Sequence, residues 1–155
     1  MENAGGHGWK ILGARHAGIT VSDLDRSLEF YCGKLGLELL SRRLYEEREI
    51  AEIVGIPEAT AFDIAMLGIP GSDVEVELLE YKGGERHSGS ARPCDYGTGH
   101  FALFVEDIDG LHSDLAARGV AFRSDGPVEK TSGGKSLYSL DPDGYIFEFH
   151  QRPPA

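Results

Sequence analysis

The chain repeats itself, and the repeat limits what it can fold into more than any other feature. Placing His100 on His16 brings Val105 onto Val21, Asp107 onto Asp23 and Asp109 onto Asp25. Each copy opens on an alternating run, RHAGITV at Arg15–Val21 and GHFALFV at Gly99–Val105. Alternation puts successive side chains on opposite faces of a strand, so Ala17, Ile19 and Val21 share one face and His16, Gly18 and Thr20 the other. A helix follows. Ser22 suits its N-cap, Asp23 and Asp25 suit the positive helix start, and Leu24, Leu28, Tyr31 and Leu35 recur at helical spacing until Gly36. Asp107–Gly119 is the matching helix of the second copy.

Strands complete each copy: Leu37–Leu44, Ala61–Ile69 and Val74–Tyr81 in the first, Val120–Arg123 and the hairpin Leu137–Gln151 in the second. Tyr45–Ile56, rich in glutamate, suits a short helix or flap between strands. The expected organisation is α+β in one domain, with a glycine-rich flexible arm at 1–8, module one at 13–81, a polar linker at 82–98 and module two at 99–151. The last hairpin turns at Asp141-Pro142-Asp143-Gly144, where proline sets the entry and glycine takes the left-handed position. Beyond the turn, Tyr145, Phe147 and Phe149 fall on one face, and Ile146, Glu148 and His150 on the other.

A carboxylate inside an aromatic strand is costly to bury unless its charge is compensated. Glu148 is such a residue, and by element order Glu77 is its mate in the first copy. Glu75 shares the face of Glu77, but Glu77 aligns better with Glu148; Glu80 aligns with Gln151 and points the other way, so Glu77 is the choice. Each copy thus offers one histidine on its first strand and one glutamate on its last, both opposite the helix-facing apolar residues. His16, Glu77, His100 and Glu148 are expected to converge as four ligands of one divalent metal ion per site (Ni, Zn, Co, Mn or Fe), with room left for water or substrate. His87, His112 and His150 have no partner in the repeat and read as surface residues.

Composition narrows the partners. A net charge of -11 excludes a nucleic-acid or anionic-membrane surface, both of which need a positive field, and leaves a small molecule as the expected substrate. No run is long and apolar enough to span a bilayer, and Met1–Lys10 lacks the apolar centre of a secretion signal. Cys32 and Cys94 have no metal spacing and are expected to be reduced, so a cytoplasmic protein is anticipated.

Four motifs in this order resemble the vicinal oxygen chelate superfamily, which contains glyoxalase I, methylmalonyl-CoA epimerase, extradiol dioxygenases and bleomycin-resistance binders. They are H-x-x-I-x-V-x-D-L-D-x-S-x-x-F-Y from His16 to Tyr31, V-E-L-L-E-Y at Val76–Tyr81, G-H-F-A-L at Gly99–Leu103 and D-P-D-G-Y-x-x-E from Asp141 to Glu148. The resemblance implies paired βαβββ modules whose mixed sheets form a cup around the metal. A cup of two short modules exposes apolar sheet edges that a closed symmetric contact can cover, so a homodimer is expected. It carries the family's metal ligands onto His16, Glu77, His100 and Glu148. It further implies an isomerase or lyase of the glyoxalase type, in which a glutamate, Glu148 by resemblance, moves a proton next to a carbonyl through an enediolate. Ser41 stands where bacterial glyoxalase I carries an arginine for the glutathione carboxylate, with Arg42 and Arg43 beside it. The alternatives are a ring-cleaving dioxygenase, whose active-site tyrosine Tyr138 resembles, and a metal-free drug binder, whose relatives lack the four ligands that this chain keeps.

Overall fold

The computed structural model describes residues 10–89 and 92–154, so the arm expected at 1–8 lies outside the described residues. In the first half, strand β1 (His16–Thr20) leads into helix α1 (Leu24–Leu28), which widens into a π-helical stretch over Glu29–Lys34. Strand β2 (Glu38–Tyr45), helix α2 (Arg48–Val54), β3 (Ala61–Gly68) and β4 (Glu75–Lys82) follow. The second half runs β5 (His100–Phe104), α3 (Ile108–Ala117), β6 (Ala121–Phe122), β7 (Val128–Glu129), β8 (Lys135–Leu140) and β9 (Ile146–Gln151).

Both halves solve the same topological problem in the same way. The first sheet has the order β1-β4-β3-β2 and the second β5-β9-β8-β6, with the two-residue β7 added alongside β8. In each, the first strand pairs in parallel with the last, and the remaining pairs are antiparallel. This is the α+β pattern of two βαβββ units. Strand β7 was not expected, because two exposed residues carry no periodicity to read.

The helix starts repeat as well, though with a different cap from the expected Ser22. Asp23 accepts from the backbone N–H of Arg26 at 2.9 Å, and its mate Asp107 accepts from Gly110 at 3.0 Å. Ser22 is drawn away by the other half: its backbone N–H and hydroxyl both donate to Asp143, at 2.8 and 2.7 Å. One more orphan amide at each helix start is met from the last strand. Glu80 accepts from Leu24 at 3.0 Å, and Gln151, its repeat mate, accepts from Ile108 at 2.7 Å. The π-helical stretch, expected as ordinary helix, coincides with the consecutive burial of Phe30 and Tyr31.

One core serves both sheets. Val76 and Leu78 of β4 and Phe147 and Phe149 of β9 are buried in the same cluster as Ile19, Leu24, Tyr31, Ile108 and Leu115. At its centre the fully buried Tyr31 packs on Phe147, with ring centroids 5.3 Å apart, and donates its hydroxyl to Asp141 at 2.7 Å. Asp141 also accepts from the backbone of Asp143 and Tyr145, and so anchors the hairpin turn, where Gly144 takes φ +89°. Burial pushes the Tyr31 phenol and the Asp141 carboxyl above their usual ranges, the latter despite its three donors. No helix among the described residues is long and apolar enough to cross a membrane.

Removing the Tyr31 hydroxyl takes a donor from a buried carboxylate without changing packing. Tyr31→Phe should therefore lower stability by about 1–3 kcal/mol, the usual cost of leaving such a group short of a partner, read as a lower urea midpoint. An unchanged midpoint would show that the bond between the halves contributes nothing.

Candidate functional site

Parallel register brings a histidine and a glutamate together in each sheet. Gly18 of β1 lies opposite Glu77 of β4, so His16 reaches forward over the ladder and its Nε2 sits 3.2 Å from Glu77 Oε2. In the second sheet Ala102 lies opposite Glu148, and His100 Nε2 sits 3.3 Å from Glu148 Oε2. The glutamate side chains are 18% and 17% exposed, sheltered to nearly the same degree. The choice among the first-half glutamates follows from this geometry: Glu77 meets the histidine, whereas Glu80 caps α1 and pairs with Lys82.

Each pair suits a cation. Imidazole nitrogen and carboxylate oxygen are ligands for Zn, Ni, Mn or Fe(II). Two bonds of about 2.1 Å drawn from atoms at the observed spacing would open an angle of about 100° at the ion, acceptable for tetrahedral or octahedral coordination.

The pairs do not join within one chain. Among the described residues no three His, Cys, Asp or Glu side chains gather where they could hold an ion. Within one chain the four residues form two separate His–Glu pairs, one per sheet, and the reason is the common core. Because the strand faces bearing Val76, Leu78, Phe147 and Phe149 meet in that core, the opposite faces, which carry the pairs, are turned away from it. Those outward faces expose apolar side chains: Leu40, against Gly68 on the Glu77 face, is 48% exposed, and Phe104, opposite His150, is 66% exposed.

The surroundings of the pairs differ. Tyr138 lies opposite Glu148 on β8, its hydroxyl 3.4 Å from His100 Nε2. Burial and then the charge of Glu148 push this phenol above its usual range. Ser136 donates to Glu148 Oε1 at 2.9 Å and also contacts His150 Nδ1 at 2.9 Å. Lys130 Nζ is 3.1 Å from His150 Nδ1 and 3.7 Å from Glu148 Oε1. His150, expected at the surface, is half-buried in this network. Its shared face with Glu148 was legible from strand alternation, but Ser136 and Lys130 come from elsewhere in the chain, so their meeting was not.

In the first half the corresponding neighbours are apolar. Met66 lies opposite Glu77, and Ile64 opposite Leu79. Beyond them, Arg43 stacks 4.4 Å from the Tyr45 ring and pairs with Glu47. Arg42 is committed elsewhere, held by Asp63 and Asp25, with the bond to Arg42 keeping Asp63 below the usual carboxylate range. His112 packs edge-on against Phe122 at 4.7 Å, and His87 is exposed.

Comparison with known proteins agrees with this architecture. The family model described as Glyoxalase/Bleomycin resistance protein/Dioxygenase superfamily matches residues 13–149. A lactoylglutathione lyase of Arabidopsis thaliana is 36% identical over 142 residues, covering 90% of this chain and 44% of that protein, so the chain spans less than half of that relative. The lactoylglutathione lyase of Haemophilus influenzae is 33% identical over 141 residues, covering 86% of this chain and 88% of that protein. A glyoxalase family protein from Bacillus cereus superposes with a TM-score of 0.84 at 21% identity, covering 95% of this chain and 98% of that one, which is a likeness of fold.

The two neighbouring glutamates of β4 should separate cleanly in a thermal melt. Glu80→Ala removes a helix-start acceptor and should cost about 1 kcal/mol, as loss of a cap does. Glu77→Ala, whose carboxylate bonds only the His16 side chain among the described residues, should cost less. Equal losses would mean that Glu77 serves the fold as Glu80 does.

Proposed function

Because the chain belongs to the glyoxalase/bleomycin resistance protein/dioxygenase superfamily, we propose that it is a metal-dependent isomerase or lyase of the glyoxalase I type, acting on a small α-carbonyl or thioester compound. The observation that carries this reading is the pair of equivalent His–Glu half-sites, each with a ring nitrogen and a carboxylate oxygen close enough to share one ion. Relatives named lactoylglutathione lyase support it and make a glutathione hemithioacetal the first substrate to try.

On this reading His16 and Glu77 of one chain, with the partner's His100 and the partner's Glu148, hold one divalent ion: Ni, Zn, Co, Mn or Fe. A homodimer then has two identical composite sites, as a closed two-fold contact requires. The exposed apolar side chains on both outward faces, Leu40 and Phe104 among them, support such a contact. The free cysteines Cys32 and Cys94 support a reducing compartment, the cytoplasm on this reading.

The bound ion would supply Lewis acidity toward the adjacent oxygens of a carbonyl compound. The chain's own groups do the rest. A glutamate of the pair set takes the carbon-bound proton next to the carbonyl and returns it to the neighbouring carbon, which shifts the double bond without net oxidation. Tyr138 stands where its hydroxyl can donate to oxygen as charge builds there. Ile64, Met66 and Leu79 on one face and Phe104 on the other exclude water, which strengthens each of these polar contacts.

The position of Tyr138 beside His100 favours a second reading, a ring-cleaving dioxygenase with iron on His16, His100 and Glu148. Incubation in D₂O separates the two. The proposed enzyme exchanges the α-proton of a hemithioacetal or acyl thioester, read by NMR, and consumes no oxygen. Oxygen uptake with catechols, and no exchange, would select the dioxygenase. Silence in both assays with no bound metal would select the binder.

Shared sites make a sharper prediction. A chain with His16→Ala and Glu77→Ala, mixed in equal amounts and refolded with a chain carrying His100→Ala and Glu148→Ala, should regain about a quarter of the metal of the unaltered protein, because random pairing makes about half of the dimers mixed and one of the two sites of each mixed dimer draws all four ligands from intact halves. Each variant alone should lose high-affinity binding, and His87→Ala should keep it. No recovery on mixing, or sedimentation as a monomer at micromolar concentration, would rule out sharing.

A further inference from the structure

The two half-sites are equivalent in position but not in how their carboxylates are held. In the second sheet, Tyr138 lies opposite Glu148 and Ser136 opposite His150. In the first, Met66 lies opposite Glu77 and Ile64 opposite Leu79. The ladders therefore match position for position: Tyr138 with Met66, Ser136 with Ile64, His150 with Leu79. Three polar side chains near Glu148, those of Tyr138, Ser136 and His150, are thus replaced by apolar ones near Glu77.

The consequence is mechanical. Glu148 presents Oε2 to His100 while Oε1 accepts from Ser136 at 2.9 Å and lies 3.7 Å from the Lys130 ammonium. Lys130 also lies against His150, its Nζ 3.1 Å from Nδ1. A swing of the Glu148 carboxylate has to break a charge-assisted bond and separate an ion pair. Glu77, among the described residues, makes no side-chain hydrogen bond or ion pair except with His16. His16 Nδ1 is buried with no partner among the described residues. The first half-site is loosely held and the second is braced.

We infer that Ser136 and Lys130 are positioning residues that fix Glu148 as a permanent ligand-type carboxylate, and that Glu77 is the carboxylate free to turn toward substrate and carry the proton. This rests on the proton-transfer reading above and departs from the family resemblance, which points to Glu148 as the base. In the step itself the substrate C–H bond breaks, its electron pair forms a carbon–carbon double bond and charge passes to the carbonyl oxygen. Glu77 gains the proton and delivers it to the former carbonyl carbon, while the hydroxyl proton of the first carbon passes to the oxygen of the second as the first becomes the new carbonyl, so atoms and electrons balance with no other reactant.

The test compares the unaltered protein with Glu77→Gln, Glu148→Gln, Ser136→Ala and Ser136→Thr in two measurements. These are Ni²⁺ affinity by calorimetry, and proton exchange in D₂O on the hemithioacetal of glutathione and an α-ketoaldehyde. Ser136→Ala should weaken Ni²⁺ binding by about 10-fold, the scale seen when a ligand loses its support, and Ser136→Thr, which keeps the hydroxyl, should restore it. Glu148→Gln should weaken Ni²⁺ binding more than Glu77→Gln does. Glu77→Gln should lose exchange by about 100-fold or more at saturating Ni²⁺. The assignment is overturned if Glu148→Gln holds Ni²⁺ as the parent does but loses exchange while Glu77→Gln retains it, or if Ser136→Ala leaves Ni²⁺ affinity unchanged. Should the unaltered protein exchange no proton, the proton-transfer reading fails separately, and the affinity ranking still decides which carboxylate is braced.

Discussion

The structure depends on both sheets sharing one core. A strand has two faces, and here the apolar face of each sheet is spent on the same cluster, centred on Tyr31 and Phe147. Once that is so, every strand residue of opposite parity points outward, and a polar pair placed there costs little to desolvate and stays open to a ligand. The Tyr31–Asp141 hydrogen bond sets the relation between the halves inside that core, because it ties the first helix to the turn that begins β9. The same turn sends Asp143 to Ser22 and Arg26, so the start of the first helix and the last hairpin are joined twice.

Duplication explains why two half-sites exist and also how they diverged. The parts that build a βαβββ unit are kept in both copies: the parallel pairing of first and last strands, the aspartate caps Asp23 and Asp107, and the last-strand acceptors Glu80 and Gln151. These satisfy backbone groups that any such unit leaves unpaired. Side chains on the outward faces are under no such demand. There one copy carries Tyr138, Ser136 and His150 where the other carries Met66, Ile64 and Leu79. A proton-transfer enzyme has use for the difference, since one carboxylate that stays and one that moves do separate jobs around a single ion.

Much of this was legible in the residues. Alternation placed the strands, glycine and proline placed the turns, and register between the copies put His16 with Glu77 and His100 with Glu148 on the sheet faces opposite the core. Other features were not legible, for identifiable reasons. Ser22 looked like a helix cap because local chemistry allows it, but a long-range acceptor, Asp143, competes for it and Asp23 caps instead. Strand β7 is too short to show a period. His150 looked solvated because its partners, Ser136 and Lys130, reach it only once β8 lies beside β9 and the preceding loop folds over.

By itself the sequence determined the α+β class, the duplicated unit and which side chains could serve as ligands, because strand parity and helix spacing are local and each side chain's face follows from them. Only the tertiary structure decided that the two His–Glu pairs lie apart within one chain. That outcome depends on which faces of the two sheets meet, and parity is indifferent to whether two polar faces are folded toward each other or away. The shared core, built on long-range contacts such as Tyr31 with Phe147 and Asp141, turned them away.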